Sequence, residues 1–406
     1  MKEFKLVFVF SVVVAAAVNS SLLRRAVTGE ESWSQSASQD QFRMGTRIAF
    51  DRNMIFPKYI ADTPTPTNIF VTNINEVGGE LQLTTDDWSQ YPVWSPDGNR
   101  IAYIHFKETL GQNKRRRTTS EIVLMDADGK NQERLASFQF GRVPTLSWSP
   151  DGKTLAIGGI MLGPSEDGVG FVESSIYLLD TPSQRSPQLL VKSGFSPSWS
   201  PDGSQIAYTC TTELRPGEYK GSLCVVTVVS HPKPRLLAEN AWNPIWSPNG
   251  ENIAYMSRVR GKGQLVICRA DGSNTIALTD GKRDVESVAW SPDGRQIAFT
   301  EKRPMEDEVI QSGPLHSVEV PLLFLMNLDG TRIGPFGEKE RLWCHDLSWS
   351  SDGTFIAAIC TRGLRDKTTR KQRFEASLFL LESADSKAQP RIIAQNGVQR
   401  ATFSPR

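Results

Sequence analysis

One segment of the chain reads Pro92-Val93-Trp94-Ser95-Pro96-Asp97-Gly98-Asn99-Arg100-Ile101-Ala102-Tyr103, and close copies of it return downstream. Each copy has an aromatic residue, a Ser-Pro-Asp-Gly-like turn and an Ile-Ala-like pair, and the further copies start at Trp148, Trp199, Trp246, Trp290 and Trp349. Their spacing of about 44 to 59 residues is typical of four-stranded propeller blades. The sequence therefore predicts a ring of similar β-sheets.

The Ser-Pro-Asp-Gly segment predicts a tight turn between two strands. Proline presets φ in the turn, aspartate favours the turn through its side chain, and glycine supplies a positive φ. The flanking runs are short and apolar and do not alternate with polar residues, so both faces of each hairpin should be buried between neighbouring blades. A third strand (for example 122–126) and a weaker fourth (133–135) complete each blade.

The two ends of the chain carry a seventh copy in two halves. The C-terminal run Ala401-Thr402-Phe403-Ser404-Pro405 matches the first half of the hairpin, and Arg47-Ile48-Ala49-Phe50 matches the second half. Pairing the two halves closes a ring and leaves no open sheet edge at the join. The predicted fold is all-β, a seven-bladed β-propeller over residues 45–406, closed by pairing of the C-terminal inner strand with the N-terminal strand of the domain.

The Trp-Ser-Pro-Asp-Gly repeat followed by Ile-Ala-Tyr resembles the WD-like repeat of TolB-type β-propellers, from about residue 45 to residue 406. The resemblance is to the repeat family and not to TolB itself, whose separate N-terminal α/β domain is not expected here and whose propeller has six blades. The repeat also occurs in prolyl-oligopeptidase-like peptidases and in oligogalacturonate lyases. The resemblance therefore implies the fold and leaves the activity open.

The first 44 residues have a different composition. Lys2 and Lys5 precede an apolar run from Leu6 to Val18, which predicts that residues 1–20 are a signal peptide. The run is shorter than the roughly twenty residues of a bilayer-spanning helix, and a short uncleaved anchor is the alternative. Residues 21–44 are polar and predict a flexible linker. The propeller is expected to be exported, periplasmic or extracellular, and membrane-attached only if the N-terminal segment is retained.

Charge and cysteine content narrow the class of protein further. A formal net charge of +1 argues against nucleic acid as a partner, and a monomer is expected. Cys210 and Cys224 fall in neighbouring antiparallel strands, where a disulfide can form. The alternative is that all five cysteines are small buried apolar residues, and Cys268, Cys344 and Cys360 have no evident partner.

The long insertions between second and third strands fall on one side of the ring, the long-loop face, where the inner strands also begin. The Ser-Pro-Asp-Gly turns lie on the opposite, short-turn face. Elaborated loops on a rigid scaffold favour a functional surface. The residues predicted to line the channel mouth on the long-loop face and to bind a partner or ligand are Trp88, Tyr91, Arg142, Phe195, Trp242, Asn243, Asp284, Glu286, Trp343, His345 and Arg400. The alternative is that these rings pack between blades.

Catalytic signals are sparse. The sequence contains no Gly-x-Ser-x-Gly motif, and its four histidines (His105, His231, His316 and His345) are too scattered to meet at one metal ion. We therefore predict no catalytic residues, metal or cofactor. The predicted function is a non-catalytic binding module for a protein, an envelope glycan or a small ligand. The alternative is a carbohydrate-active enzyme of the oligogalacturonate-lyase type, or another small-molecule enzyme, with its site at the channel mouth.

Overall fold

A computed structural model describes residues 47–53, 66–75, 79–110, 116–138, 140–165, 168–181, 186–215, 218–229, 232–304, 319–337, 342–365, 372–395 and 397–405. Within these ranges the regular secondary structure consists of 28 strands and includes no helix. The strands form seven antiparallel sheets of four strands each. The predicted seven-bladed propeller is confirmed.

The strands have the following bounds in chain order: β1 (Arg47–Asn53), β2 (Thr67–Asn73), β3 (Leu81–Gln82), β4 (Ser89–Trp94), β5 (Arg100–Leu110), β6 (Arg116–Asp126), β7 (Glu133–Phe138), β8 (Phe140–Trp148), β9 (Thr154–Ser165), β10 (Gly168–Asp180), β11 (Gln188–Lys192), β12 (Gly194–Trp199), β13 (Gln205–Arg215), β14 (Glu218–Thr227), β15 (Arg235–Glu239), β16 (Ala241–Trp246), β17 (Asn252–Val259), β18 (Lys262–Arg269), β19 (Ile276–Ala277), β20 (Val285–Trp290), β21 (Gln296–Pro304), β22 (Glu319–Asn327), β23 (Arg332–Phe336), β24 (Leu342–Trp349), β25 (Phe355–Arg365), β26 (Gln372–Glu382), β27 (Arg391–Ala394) and β28 (Val398–Phe403).

Blade 1 joins the two ends of the chain. Its strand order is β28-β1-β2-β3, whereas each of the blades 2 to 7 is built from four consecutive strands. In the antiparallel pair β28–β1, Phe403 lies opposite Ile48 and Arg400 lies opposite Asp51. The last strand is thus the inner strand of the first blade, as the split repeat predicts.

The turn after each inner strand shows why its residues recur. In the copy that follows β8, Gly152 has a φ of 68° and its amide donates to the Ser149 carbonyl at 2.9 Å. Ser149 Oγ donates to Asp151 Oδ1 at 2.6 Å and accepts from Thr154 N at 2.9 Å. Asp151 Oδ1 also accepts from Lys153 N at 3.1 Å. Serine, aspartate and glycine therefore each satisfy a different requirement of one tight turn.

The repeated tryptophans hold each blade against the one before it. The indole nitrogen donates to a carbonyl of the preceding inner strand in five copies: Trp94 to Thr402 (3.1 Å), Trp148 to Val93 (3.4 Å), Trp199 to Ser147 (3.1 Å), Trp290 to Ile245 (3.1 Å) and Trp349 to Ala289 (3.2 Å). Phe403 takes the equivalent position in blade 1. The apolar core is likewise divided into seven clusters of buried residues, one between each pair of blades.

Two disulfides cross-link neighbouring strands. Cys210 on β13 is bonded to Cys224 on β14, with Cα atoms 5.8 Å apart, and Cys344 on β24 is bonded to Cys360 on β25, with Cα atoms 4.0 Å apart. Cys268 is a buried free thiol. Cys344 and Cys360 lie directly opposite each other in the strand register, which the sequence alone did not indicate.

Several predicted features lie outside the described residues. These are the signal peptide over 1–20, the linker over 21–44, the tips of most long insertions, His231 and His316. Arg142 lies on β8, but its side chain is not described. Where the structure does describe the chain, it contains no helix with the length and apolar character of a membrane span.

Candidate binding surface at the channel mouth

Seven residues form a ring at the channel mouth. We define this mouth ring as the residues three positions before the repeat aromatic, and its members are Tyr91, Thr145, Ser196, Asn243, Ser287, Asp346 and Arg400. The inner strands β4, β8, β12, β16, β20 and β24 each have a register shift at this point. Four members adopt a positive φ: Tyr91 (60°), Ser196 (52°), Asn243 (49°) and Asp346 (53°). Such bulges re-aim a side chain.

Ring members contact the neighbouring blades. Ser196 Oγ donates to Asn243 Oδ1 at 3.0 Å, and Asp346 N donates to Ser287 Oγ at 3.1 Å. Asp346 Oδ2 accepts from Ala401 N at 2.9 Å. The guanidinium carbon of Arg400 lies 3.9 Å from the centroid of the Tyr91 ring. Because these contacts link equivalent positions of successive blades, the side chains must converge around the channel axis.

Arg400 is the centre of a charged cluster at the junction of blades 7, 1 and 2. Its guanidinium is enclosed between Tyr91, Asp51 and Asp346, although the residue as a whole keeps contact with solvent. Burial lowers the pKa of Arg400, but the nearby Tyr91, Asp346 and Asp51 raise it by more, so the net shift is upward. Asp51 is 1% exposed, and its Oδ2 accepts from Tyr91 N at 2.9 Å. Burial raises the pKa of Asp51 to about 6, against the opposing effect of Arg400.

Blades 6 and 7 extend the charged half of the mouth. Lys302 Nζ lies 2.7 Å from Glu286 Oε1 and 3.7 Å from Asp284 Oδ2. Asp284 Oδ1 also accepts from Gly263 N at 2.6 Å, which ties blade 6 to blade 5. On β24, burial lowers the pKa of His345, although Asp346 and Glu286 oppose the shift. This imidazole is therefore neutral at neutral pH.

The opposite half of the mouth, in blades 4 and 5, is aromatic. Phe195 and Trp242 occupy the same position of consecutive inner strands, and their ring centroids are 6.1 Å apart at 37°. Both rings are half-buried. A Cβ atom on Gly221 would lie 2.6 Å from the Trp242 indole, so the ring rests directly on the backbone of β14. Glycine at position 221 thus leaves the space that the Trp242 ring occupies.

The other predicted mouth residues are less closely grouped. Trp88 is half-buried before β4, where its carbonyl accepts from Phe106 N at 2.9 Å, and it forms a bridge to Thr67 of blade 1. Trp343 is half-buried on β24, opposite Thr361. Neither is placed in the mouth ring by the strand alignment.

The sequence prediction did not include Asp51 or the ring members Thr145, Ser196, Ser287 and Asp346. Asp51 did carry a signal, because it is the one charged residue at its repeat position; the other repeats have Ile104, Gly158, Thr209, Met256, Thr300 and Ile359. Thr145, the two serines and Asp346 carried no such signal, because small polar residues are common in strand irregularities. Among the described residues, no group of three or more His, Cys, Asp or Glu side chains is placed to hold a metal ion.

Comparison with known proteins places this fold in a family. The family model of the TolB beta propeller domain, PD40, matches residues 81–314, more than half of the chain. The chain belongs to this family. It is 32% identical over 132 residues to the Tol-Pal system protein TolB of Thioalkalivibrio sulfidiphilus (strain HL-EbGR7), a match that covers 28% of this chain and only 27% of that curated relative.

Solved structures agree on the fold. The β-propeller domain of the Trilobed protease from Pyrococcus furiosus matches with a TM-score of 0.54 and 16% identity, over 87% of this chain and 95% of that one. A Mycobacterium tuberculosis puromycin-hydrolyzing peptidase matches with a TM-score of 0.55 and 14% identity, over 87% of this chain and 52% of that one. At such low identity, these similarities concern the propeller architecture alone.

Proposed function

We propose that this protein is a non-catalytic binding module of the cell envelope whose partner docks on the long-loop face at the channel mouth. The observation that carries the proposal is the composition of that mouth. One half presents the Phe195–Trp242 pair, and the other presents Arg400 stacked on Tyr91. Partly exposed aromatic and arginine side chains on a rigid frame are typical of the residues that dominate protein–protein binding.

The acidic groups of the mouth favour binding over catalysis. Asp51 accepts from Tyr91 N, Asp346 accepts from Ala401 N, and Glu286 pairs with Lys302. Asp51 and Asp346 thus bind backbone amides of the neighbouring blades, Glu286 binds Lys302 of its own blade, and the charges of Asp51 and Asp346 are balanced by Arg400. Their evident role is to fix the ring and to set the charge of its surface.

The proposal includes export from the cytoplasm. Two disulfides in one propeller fit an oxidising compartment. It also includes a signal peptide over 1–20, a linker over 21–44 and a propeller over 45–406, acting as a monomer. One relative is named as a protein of the Tol-Pal system, which favours a protein as the partner over a glycan or a small ligand.

The proposal can be tested with the tagged full chain and an envelope extract. The captured protein is identified by mass spectrometry and its affinity is then measured for variants at the mouth, Trp242→Ala and Arg400→Gln. We expect each variant to weaken binding about thirtyfold or more, since aromatic and arginine anchors that become buried on binding contribute about 2 kcal/mol or more at such interfaces.

Matched controls come from the short-turn face, where Lys153 and Arg295 are exposed. Lys153→Gln and Arg295→Gln should leave the affinity unchanged, and circular dichroism must show that all four variants are folded. If the short-turn variants weaken binding and the mouth variants do not, the site lies on the opposite face.

A further inference from the structure

A second cluster of charged residues lies outside the mouth ring, at the interface of blades 5 and 6. Glu301 on β21 is 3% exposed and is approached by three arginines. Arg303 Nε lies 2.8 Å from Glu301 Oε1, Arg332 Nη2 lies 3.0 Å from Oε2, and Arg283 Nε lies 3.9 Å from Oε1. Three positive charges therefore surround one carboxylate, and among the described residues these arginines have no other ion-pair partner.

The next residue of the same strand shows the opposite arrangement. Lys302 points to the other side of β21 and is paired with both Glu286 and Asp284. Counted over the described residues, one face of the strand thus has more carboxylates than cations, and the other has two more cations than carboxylates. Partly buried like charges at close range repel each other. Burial lowers the pKa of Arg332, Glu301 raises it, and the charges of Arg303 and Arg283 lower it further.

Blade 1 contains a matched arrangement without the charge excess. Its Phe50 and Phe70 stack with centroids 5.6 Å apart, and the guanidinium of Arg52 lies 4.8 Å from the Phe70 ring. Arg52 Nη1 is paired with Glu80 Oε2 at 2.6 Å, one cation to one carboxylate. An arginine that covers a phenylalanine pair in this fold therefore needs only a single acidic partner.

Blade 6 has the same phenylalanine pair but adds arginines. Phe299 and Phe324 stack with centroids 5.8 Å apart. The guanidinium of Arg332 lies 3.6 Å from the Phe324 centroid, and that of Arg303 lies 5.2 Å from it. Both guanidinium groups stack on the Phe324 ring and contact the Glu301 carboxylate, so the two positive charges lie next to each other. Since the single Arg52 covers both phenylalanines of blade 1, covering the pair in blade 6 does not require three arginines.

We propose that Arg283, Arg303 and Arg332 form a binding site for a small multivalent oxyanion, a phosphate or sulfate group. Guanidinium groups bind such tetrahedral anions with paired, charge-assisted hydrogen bonds. The three side chains are 29% to 37% exposed, so a small anion can reach them. Arg332 Nε is buried and, among the described residues, lacks a hydrogen-bond partner. The site is separate from the mouth ring and does not depend on the proposed partner.

Calorimetric titration of the full chain with inorganic phosphate and with sulfate tests the site, using chloride at equal ionic strength as the reference. We expect saturable binding of both anions at one site. Arg303→Gln and Arg332→Gln should each weaken it about tenfold, because each removes a charge-assisted hydrogen bond. Arg52→Gln, the matched variant in blade 1, should leave the affinity unchanged. Glycerol 3-phosphate, titrated in parallel, distinguishes a site for phosphate esters from one for the free anion.

Glu301→Gln separates anion binding from a merely structural role. Removal of the one carboxylate leaves three cations, so phosphate should bind severalfold more tightly and raise the melting temperature more than in the unchanged protein. Loss of stability without this gain would contradict the proposal, as would the absence of saturable binding in the unchanged chain.

The chain's own acidic run Glu306-Asp307-Glu308 follows Arg303 in sequence and lies outside the described residues. A variant with all three residues changed to their amides provides the last comparison. Phosphate binding that appears only in this variant would show that the acidic run is the natural counter-charge, and it would overturn the proposal of a free anion site.

Discussion

Asp51 is a carboxylate at a repeat position that is uncharged in the six other blades, and it is 1% exposed. It lies on β1, the first described strand, and its Oδ2 accepts a hydrogen bond from Tyr91 N, which the bulge takes out of the strand pairing. Thr209 Oγ1 does the same for Asn243 N at 2.9 Å without a charge. A neutral acceptor is therefore sufficient for the hydrogen bond, and the charge of Asp51 serves Arg400 instead.

The pKa of Asp51, raised by burial to about 6 from 3.8, predicts a pH dependence of stability. Between these values the folded chain retains a proton that the unfolded chain has released, so stability from this group decreases as the pH rises. Relative to Asp51→Asn, the unchanged protein should lose about 1 to 2 kcal/mol of unfolding free energy between about pH 5 and about pH 8.

Urea unfolding at the two pH values measures this difference. Asp151→Asn is the control: hydrogen bonds from Ser149 and Lys153 lower the pKa of Asp151, so its titration is complete below this range. A difference between the unchanged protein and Asp51→Asn that does not vary with pH would show that Asp51 is not a titrating buried group.

The inner strands are joined by tryptophan hydrogen bonds, and one of the strands provides a natural exception. Trp290 Nε1 donates to the Ile245 carbonyl, whereas Trp246 Nε1 is buried with no hydrogen-bond partner among the described residues. Phe403 shows that a ring without a donor fits the same position. The contribution of the hydrogen bond can therefore be separated from that of the ring.

Trp290→Phe should lower the unfolding free energy by about 1 kcal/mol, because it removes a buried hydrogen bond and leaves a carbonyl without its partner. Trp246→Phe should cost nothing or stabilise the protein, because it removes an unsatisfied buried donor. Chemical denaturation of both variants gives the comparison. Equal losses would mean that ring volume, and not the hydrogen bond, holds the blades together.

The strands and turns could be predicted because their signals are local and repeated. Of the mouth-ring residues, Tyr91, Asn243 and Arg400 were predicted at the channel mouth, because each lies just before a repeat aromatic (Trp94, Trp246 and Phe403) and has an aromatic, amide or charged side chain. The bulges were not predicted, since a positive φ at Tyr91 or Asp346 depends on hydrogen bonds to a neighbouring blade. The proposed anion site was also missed, because Arg283 precedes β20, Arg303 lies on β21 and Arg332 lies on β23, and the three meet around Glu301 only when blade 6 has folded.

For the whole molecule, closure of the ring and assembly of the mouth are one event. Arg400 lies on β28 at one end of the chain and Asp51 on β1 at the other, while Tyr91 and Asp346 belong to the blades on either side. The charged half of the mouth therefore exists only when the last strand has paired with the first. The proposed binding surface lies at this closing seam, so its assembly should be coupled to the folding of the complete propeller.

Hydrogen exchange of the full chain, free and bound to its captured partner, tests the position of the binding surface most directly. We expect exchange to slow in peptides that contain Tyr91, Trp242, Asp346 and Arg400, where the aromatic and charged halves of the mouth meet the partner. Peptides that contain the short turns at Gly98, Gly152 and Gly294 should exchange at the same rate in both states. Protection confined to those short turns, with no change at the channel mouth, would contradict the account.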